Sequence, residues 1–239
     1  MPAQFVNVAN GGGTGSSSTS VAGAQYHQVG NLLVACIASG TNTVRTVSVT
    51  DTIGNIWQKC LGSLETAQAS AGNVEHWYTL CASTHIANIV TATRSASDSF
   101  HSIWVSQFWD ACPNPQEVFE IGVGGSIASG TTVTSNAFVP AAAGNLCVSG
   151  CNTGASVATW TTDANYYLAG STQGGAGTLD RQQEYRPNAP AGSQTAAITI
   201  DTATSINISV VSFRSATHPD RYGTGNARRL FRRFPISED

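Results

Sequence analysis

The sequence predicts an all-β protein: an antiparallel two-sheet β-sandwich with an approximate internal duplication and a basic amphipathic C-terminal tail. Three observations predict it. Short apolar runs rich in β-branched and aromatic residues recur, separated by clusters of Gly, Asn, Asp and Ser. No helical period runs through the body of the chain. Charged residues make up only 10% of the 239 positions, against roughly 25% in an ordinary soluble domain, so solubility rests on hydroxyls and amides.

The first segment, 1–20, "MPAQFVNVANGGGTGSSSTS", reads as a flexible arm because Gly and Ser dominate it. The sandwich is expected over 21–215. Its first series of strands is placed at 32–39, 44–50, 55–61, 74–81, 86–93 and 100–109, and a second at 146–152, 157–161, 165–169, 179–185, 196–201 and 206–214. In 100–109 one face carries Ile103 and Val105 and the other Phe100, Trp104 and Phe108, so that strand is central or covered on both sides. In 206–214, Asn207 and Ser209 alternate with Ile206, Ile208 and Val210, which predicts one wet face.

The two series answer one another. "VGNLLVACIASG" is matched by "AGNLCVSGCNTG", and Ile103, Val105 and Phe108 are matched by Ile208, Val210 and Phe213. Two repeats are too few for a solenoid, so the halves are expected to share one core.

Charge is segregated at the end. The chain has net charge −3. From Ala216 onward five Arg stand against Asp220, Glu238 and Asp239, so the tail 216–239 is +2 and the rest −5. A weakly acidic body excludes nucleic-acid binding through a broad basic face. On a helical wheel Ala227, Leu230, Phe231 and Phe234 face one way and Arg228, Arg229, Arg232 and Arg233 the other. Asn226 is placed to cap this segment and Pro235 to end it. The stripe needs an apolar surface and the arginines need carboxylates, which a neighbouring protein subunit supplies together. The bland alternative is a solvated tail.

Chemistry-bearing residues are sparse. The six cysteines, Cys36, Cys60, Cys81, Cys112, Cys147 and Cys151, form no CxxC pair. They read as small apolar residues packed in strands, or as disulfide partners after release. In "VTDTIGNIW", Asp51 either ligates a hard cation or accepts the N–H groups of its own turn; one carboxylate is too few for calcium, so the turn is preferred and no metal is expected. Glu75 and His76 are adjacent and so fall on opposite faces of a strand, which rules out an acid–base dyad between them; His76 reads as a half-exposed position beside Trp77. No catalytic set and no cofactor are expected: there is no G-x-S-x-G, phosphate-binding loop or dinucleotide fingerprint. Tyr185, between Arg181 and Arg186 in "DRQQEYRPN", reads as a surface ligand patch or as an edge protected by its charges.

The run "GNLLVACIA", "SVTDTIGNIW", "HWYTLC" and "NIVTATRS…FHSIWVSQF" resembles jelly-roll or lectin-like β-sandwich proteins of phage virions and bacterial surfaces. The resemblance covers most of the chain up to Arg214 and implies a structural or binding role. With no 18-residue apolar run and no basic start followed by an apolar centre, the expectation is a virion protein, made in the host cytoplasm and extracellular after release. It is a non-enzymatic decoration or accessory protein, a homo-oligomer whose partners are other virion subunits, with no membrane and no specific nucleic acid. One rival is a carbohydrate-binding module or receptor-binding tip, with glycan as ligand; another is a jelly-roll glycoside hydrolase, which needs a carboxylate pair that the sequence does not single out.

Overall fold

The computed structural model of the protein describes residues 3–13, 17–98, 100–155, 157, 159–172 and 181–216. These residues form antiparallel β-sheets, one three-residue 3-10 turn, Ala69–Ala71, and no α-helix. The first half of the chain supplies β1 (Gln4–Gly13), β2 (Ser17–Val21), β3 (Gln25–His27), β4 (Leu32–Ser39), β5 (Thr46–Asp51), β6 (Gln58–Lys59), β7 (Asn73–Leu80), β8 (His85–Asn88), β9 (Val90–Asp98) and β10 (His101–Trp109). The second half supplies β11 (Phe119–Thr134), β12 (Asn145–Thr153), β13 (Trp160–Thr162), β14 (Tyr167–Thr172), β15 (Arg181–Ala189) and β16 (Ala197–Phe213).

Strand order repeats between the halves. The first half has a sheet ordered β1-β10-β4-β7-β6 and a smaller one ordered β2-β9-β5; β3 and β8 pair separately. In the second half the order is β11-β16-β12-β15-β14, and β13 adds to the N-terminal part of β16. The long strands β11 and β16 each do the work of two strands of the first half, bending at the irregularity around Gly130. Registers carry the equivalence to single residues. Val34 lies across from Tyr78 as Val148 lies across from Tyr185, and Leu32 across from Phe108 as Leu146 across from Phe213. Phe5 pairs with Phe108 as Phe119 pairs with Phe213.

Three apolar clusters hold the chain, not the single shared core expected. One lies wholly within the first half, between the five-stranded and three-stranded sheets, and includes Leu33, Ile37, Val49, Val90 and Ile103. Another lies wholly within the second half and includes Cys151, Ile198, Ile206 and Ile208. The third joins the halves through Leu32, Val34, Phe108, Leu146, Val148 and Phe213. Because side chains alternate along a strand, each central strand feeds its own half's cluster from one face and the joint cluster from the other.

The structure corrects four expectations. The segment read as a flexible arm is strand over Gln4–Gly13 and Ser17–Val21; its glycines permit close approach, since a side-chain carbon at Gly11 would overlap the carbonyl oxygen of Val21 and one at Gly12 that of His101. A sixteen-residue strand, β11, stands where none was placed. The strand expected at 55–61 shrinks to Gln58–Lys59, because Asp51 and Asn55 hold the preceding residues in a turn. The wet face expected for 206–214 is dry, since Ile206 through Phe213 are all buried: the other half covers it.

Candidate functional site

The joint between the halves has an approximate two-fold relation. Tyr185 of the second half stacks on Phe5, with ring centroids 4.8 Å apart, and meets Phe108 edge-on at 5.7 Å. In the equivalent trio Tyr78 of the first half stacks on Phe119 at 5.6 Å and meets Phe213 edge-on at 5.6 Å. Each half therefore supplies two phenylalanines and receives one tyrosine. Polar groups continue the joint. His76 Nδ1 and Ser209 Oγ lie 2.8 Å apart, and Ser106 Oγ donates to Gln183 Oε1 at 2.7 Å. Asn152 Nδ2 donates to the carbonyls of Ser39 and Ala71, and Asn207 Nδ2 to those of Gln68 and Gly72.

This arrangement settles where several expected residues stand. Tyr185 is not a surface platform: it is half-buried among Phe5, Phe108 and Tyr167. Arg186 donates to Gln194 Oε1 at 2.9 Å, and the Arg181 side chain lies outside the described residues, as does the segment holding Arg228, Arg229, Leu230, Phe231, Arg232, Arg233 and Phe234. His76 is fully buried rather than half-exposed, and burial lowers its pKa to about 3. Glu75 and His76 do face opposite ways: Glu75 accepts from the Thr46 N–H at 2.9 Å and pairs with Lys59, within the first half.

Asp51 is a turn residue. One carboxylate oxygen accepts the Asn55 N–H at 2.9 Å, and the other accepts from Asn55 Nδ2, Trp57 Nε1 and Asn88 Nδ2 at 2.6, 3.2 and 3.2 Å. All six cysteines are buried and none is in a disulfide; burial raises the thiol pKa of Cys36 and Cys60 and pushes that of Cys147 up to about 12. They are apolar packing groups, not nucleophiles. Among the described residues no cluster of three or more His, Cys, Asp or Glu is placed to hold a metal, and no helix is long and apolar enough to cross a membrane.

One difference between the halves lies near Lys59 and its counterpart. Beneath β5 and β6 the first half is closed by charge: Lys59 reaches Glu75, and Arg94 reaches Ser20 and the Ser17 carbonyl. At the equivalent registers of the second half stand Leu168 for Lys59, Gln182 for Glu75 and Ile200 for Arg94. With no ion pair to close it, the place is a pocket of about 470 Å³ lined by Trp160, Leu168, Gln182, Ser171 and threonines 159, 161 and 162. The Trp160 indole N–H is buried without a hydrogen-bond partner. Gln182 is 1% exposed and donates to Glu184, which is itself fully buried with its second oxygen unpartnered. Burial raises the Glu184 pKa to about 8, so at neutral pH the carboxyl is mostly protonated. No sequence pattern marked this pocket; the signal was the pair of substitutions, Lys to Leu and Glu to Gln, legible only once the repeat is aligned by register.

Comparison with known proteins finds no matching family model, no matching curated protein and no matching solved structure.

Proposed function

We propose that the chain is a non-enzymatic structural protein of a phage virion, a capsid decoration or accessory protein that docks on neighbouring subunits through its C-terminal tail. The observation that carries this reading is the strand order. Count the eight principal strands of the first half as β1, β2, β4, β5, β6, β7, β9 and β10: one sheet runs first, eighth, third, sixth, and the other second, seventh, fourth. That is jelly-roll order, with the fifth strand joined to the sixth instead of the fourth, and the second half repeats it. This order supports reading each half as a two-sheet sandwich of the jelly-roll kind, an architecture recurrent in viral capsid and lectin domains. Fold alone does not imply function; the tail supplies the specific element. Ala216 donates its N–H to the Asp110 carbonyl, which anchors the start of the tail beside the joint of the two halves. From there an arginine-and-phenylalanine segment can reach a neighbouring acidic, apolar-patched subunit.

Mass spectrometry of purified particles locates the chain. Deleting 217–239, or replacing Leu230, Phe231 and Phe234 with Ser, is expected to leave the body folded with an unchanged melting temperature and to abolish incorporation. Incorporation of the truncated chain at parental occupancy would overturn the reading.

A further inference from the structure

From the contrast between the two halves we infer that the pocket walled by Trp160, Leu168 and Gln182 is a binding site for a neutral, polyhydroxylated ligand, a single pyranose ring of a glycan. The inference goes beyond the structural role and does not depend on it.

Several features of the pocket select this chemistry. Its volume, about 470 Å³, falls within the range of small-molecule sites, roughly 300–1,000 Å³. Among the described residues no Lys or Arg lines it, so none of these side chains recognises a phosphate or carboxylate. Glu184 is buried and hydrogen-bonded to Gln182, and no carboxylate is among the described lining residues. What remains among the described lining residues is an indole, an amide and a set of hydroxyls. An aromatic face packs against the C–H face of a sugar ring, while N–H, amide and hydroxyl groups serve its hydroxyls.

The first half acts as an internal reference. The same strands there close the same place with Lys59 and Glu75, leaving Glu75 fully buried and paired. Buried polar atoms without hydrogen-bond partners occur at this place in both halves, Thr46 Oγ1 and Trp77 Nε1 in the first and Trp160 Nε1 and Glu184 Oε2 in the second, so what separates the halves is the ion pair in one and the open, uncharged pocket in the other. Leu168 in the pocket wall is 52% exposed, so the mouth carries an apolar side chain open to solvent, a feature expected of a rim that receives a ligand.

The test uses the full chain and a panel of glucose, galactose, mannose, rhamnose and N-acetylglucosamine, with adenosine and thymidine as planar aromatic controls. Binding is read by saturation-transfer NMR and by Trp fluorescence titration. At least one sugar is expected to bind with a dissociation constant of about 1–10 mM, and Trp160→Ala is expected to weaken it about tenfold or more. Because Trp160 also packs against the second-half cluster, the decisive variant is Leu168→Lys at an exposed position. It places an ammonium across from Glu184, closes the pocket as Lys59 does in the first half, and should abolish binding without loss of melting temperature. Ile56→Ser, at an 81% exposed position in the first half, should leave binding unchanged. The inference fails if no sugar on the panel binds, if Leu168→Lys binds as the parent does, or if only the nucleosides bind.

Discussion

Asp51 shows how much one carboxylate can organise when every acceptor site is used. Four N–H donors from Asn55, Trp57 and Asn88 converge on it, tying the corner after β5 to the strand β8. Replacing Asp51 with Ala leaves those donors unmet and should lower stability by about 2–3 kcal/mol in denaturant titration, with no calcium-dependent change in melting. Glu184 and the buried histidines govern pH dependence with opposite signs. The folded pKa of Glu184, about 8, lies above its ordinary 4.5, so its contribution is whole below pH 4.5 and is lost as pH rises through 8. His27 and His76 have folded pKa values of about 4 and 3, both lowered from 6.5 by burial, so their contribution is whole above pH 6.5 and is lost as pH falls through those values. Stability measured against pH should therefore fall on both sides of mildly acidic conditions. Glu184→Gln should flatten the alkaline limb and leave the acid limb in place.

Strands were legible wherever apolar residues were dense, and illegible where glycine or the partner half did the work. β4, β7, β10 and β12 stand within one residue of their expected bounds because continuous apolar runs have no other use in so uncharged a chain. β1 and β11 were hidden: "QFVNVANGGG" and "FEIGVGGSIASGTTVT" carry glycines that propensity counts as loop. Here those glycines permit backbone contact, as at Gly122, where a side chain would collide with Leu61 and Ser63. The cover over Tyr185 was hidden for a related reason, since the aromatics that make it come from β1 and β10, far away in sequence. Asn207 on β16 gives this a measurable form. Alternation alone makes it a solvent-facing residue that tolerates Val, but its side chain serves the Gln68 and Gly72 carbonyls and the Gln68 N–H. Asn207→Val should cost about 2–4 kcal/mol in equilibrium unfolding; a change near zero would mean that the face is wet after all.

Over the whole molecule, the duplicated words marked a real equivalence of registers, and what they could not convey is that like faces meet. Phe5 and Phe119, at equivalent positions, each stack on a tyrosine of the opposite half, so neither half keeps its aromatic trio without the other. Calorimetry is expected to give one unfolding transition whose calorimetric and van't Hoff enthalpies agree; Phe5→Ala and Phe119→Ala should each lower its midpoint without splitting it, whereas two resolved transitions would mean independent halves. The joint has one more consequence. The Ala3 N–H donates to Ser215 Oγ at 3.3 Å, and the same hydroxyl donates to the Gly144 carbonyl, so the two ends of the folded body touch. The stretch that links first half to second leaves and returns beside the same place, since the Cys112 N–H donates to the Arg214 carbonyl and the Arg214 N–H to the Val118 carbonyl. The polypeptide is in effect a closed loop cut at one of two interchangeable seams: rejoined at the ends and opened between the halves, it would present them in reverse order around an unaltered interior.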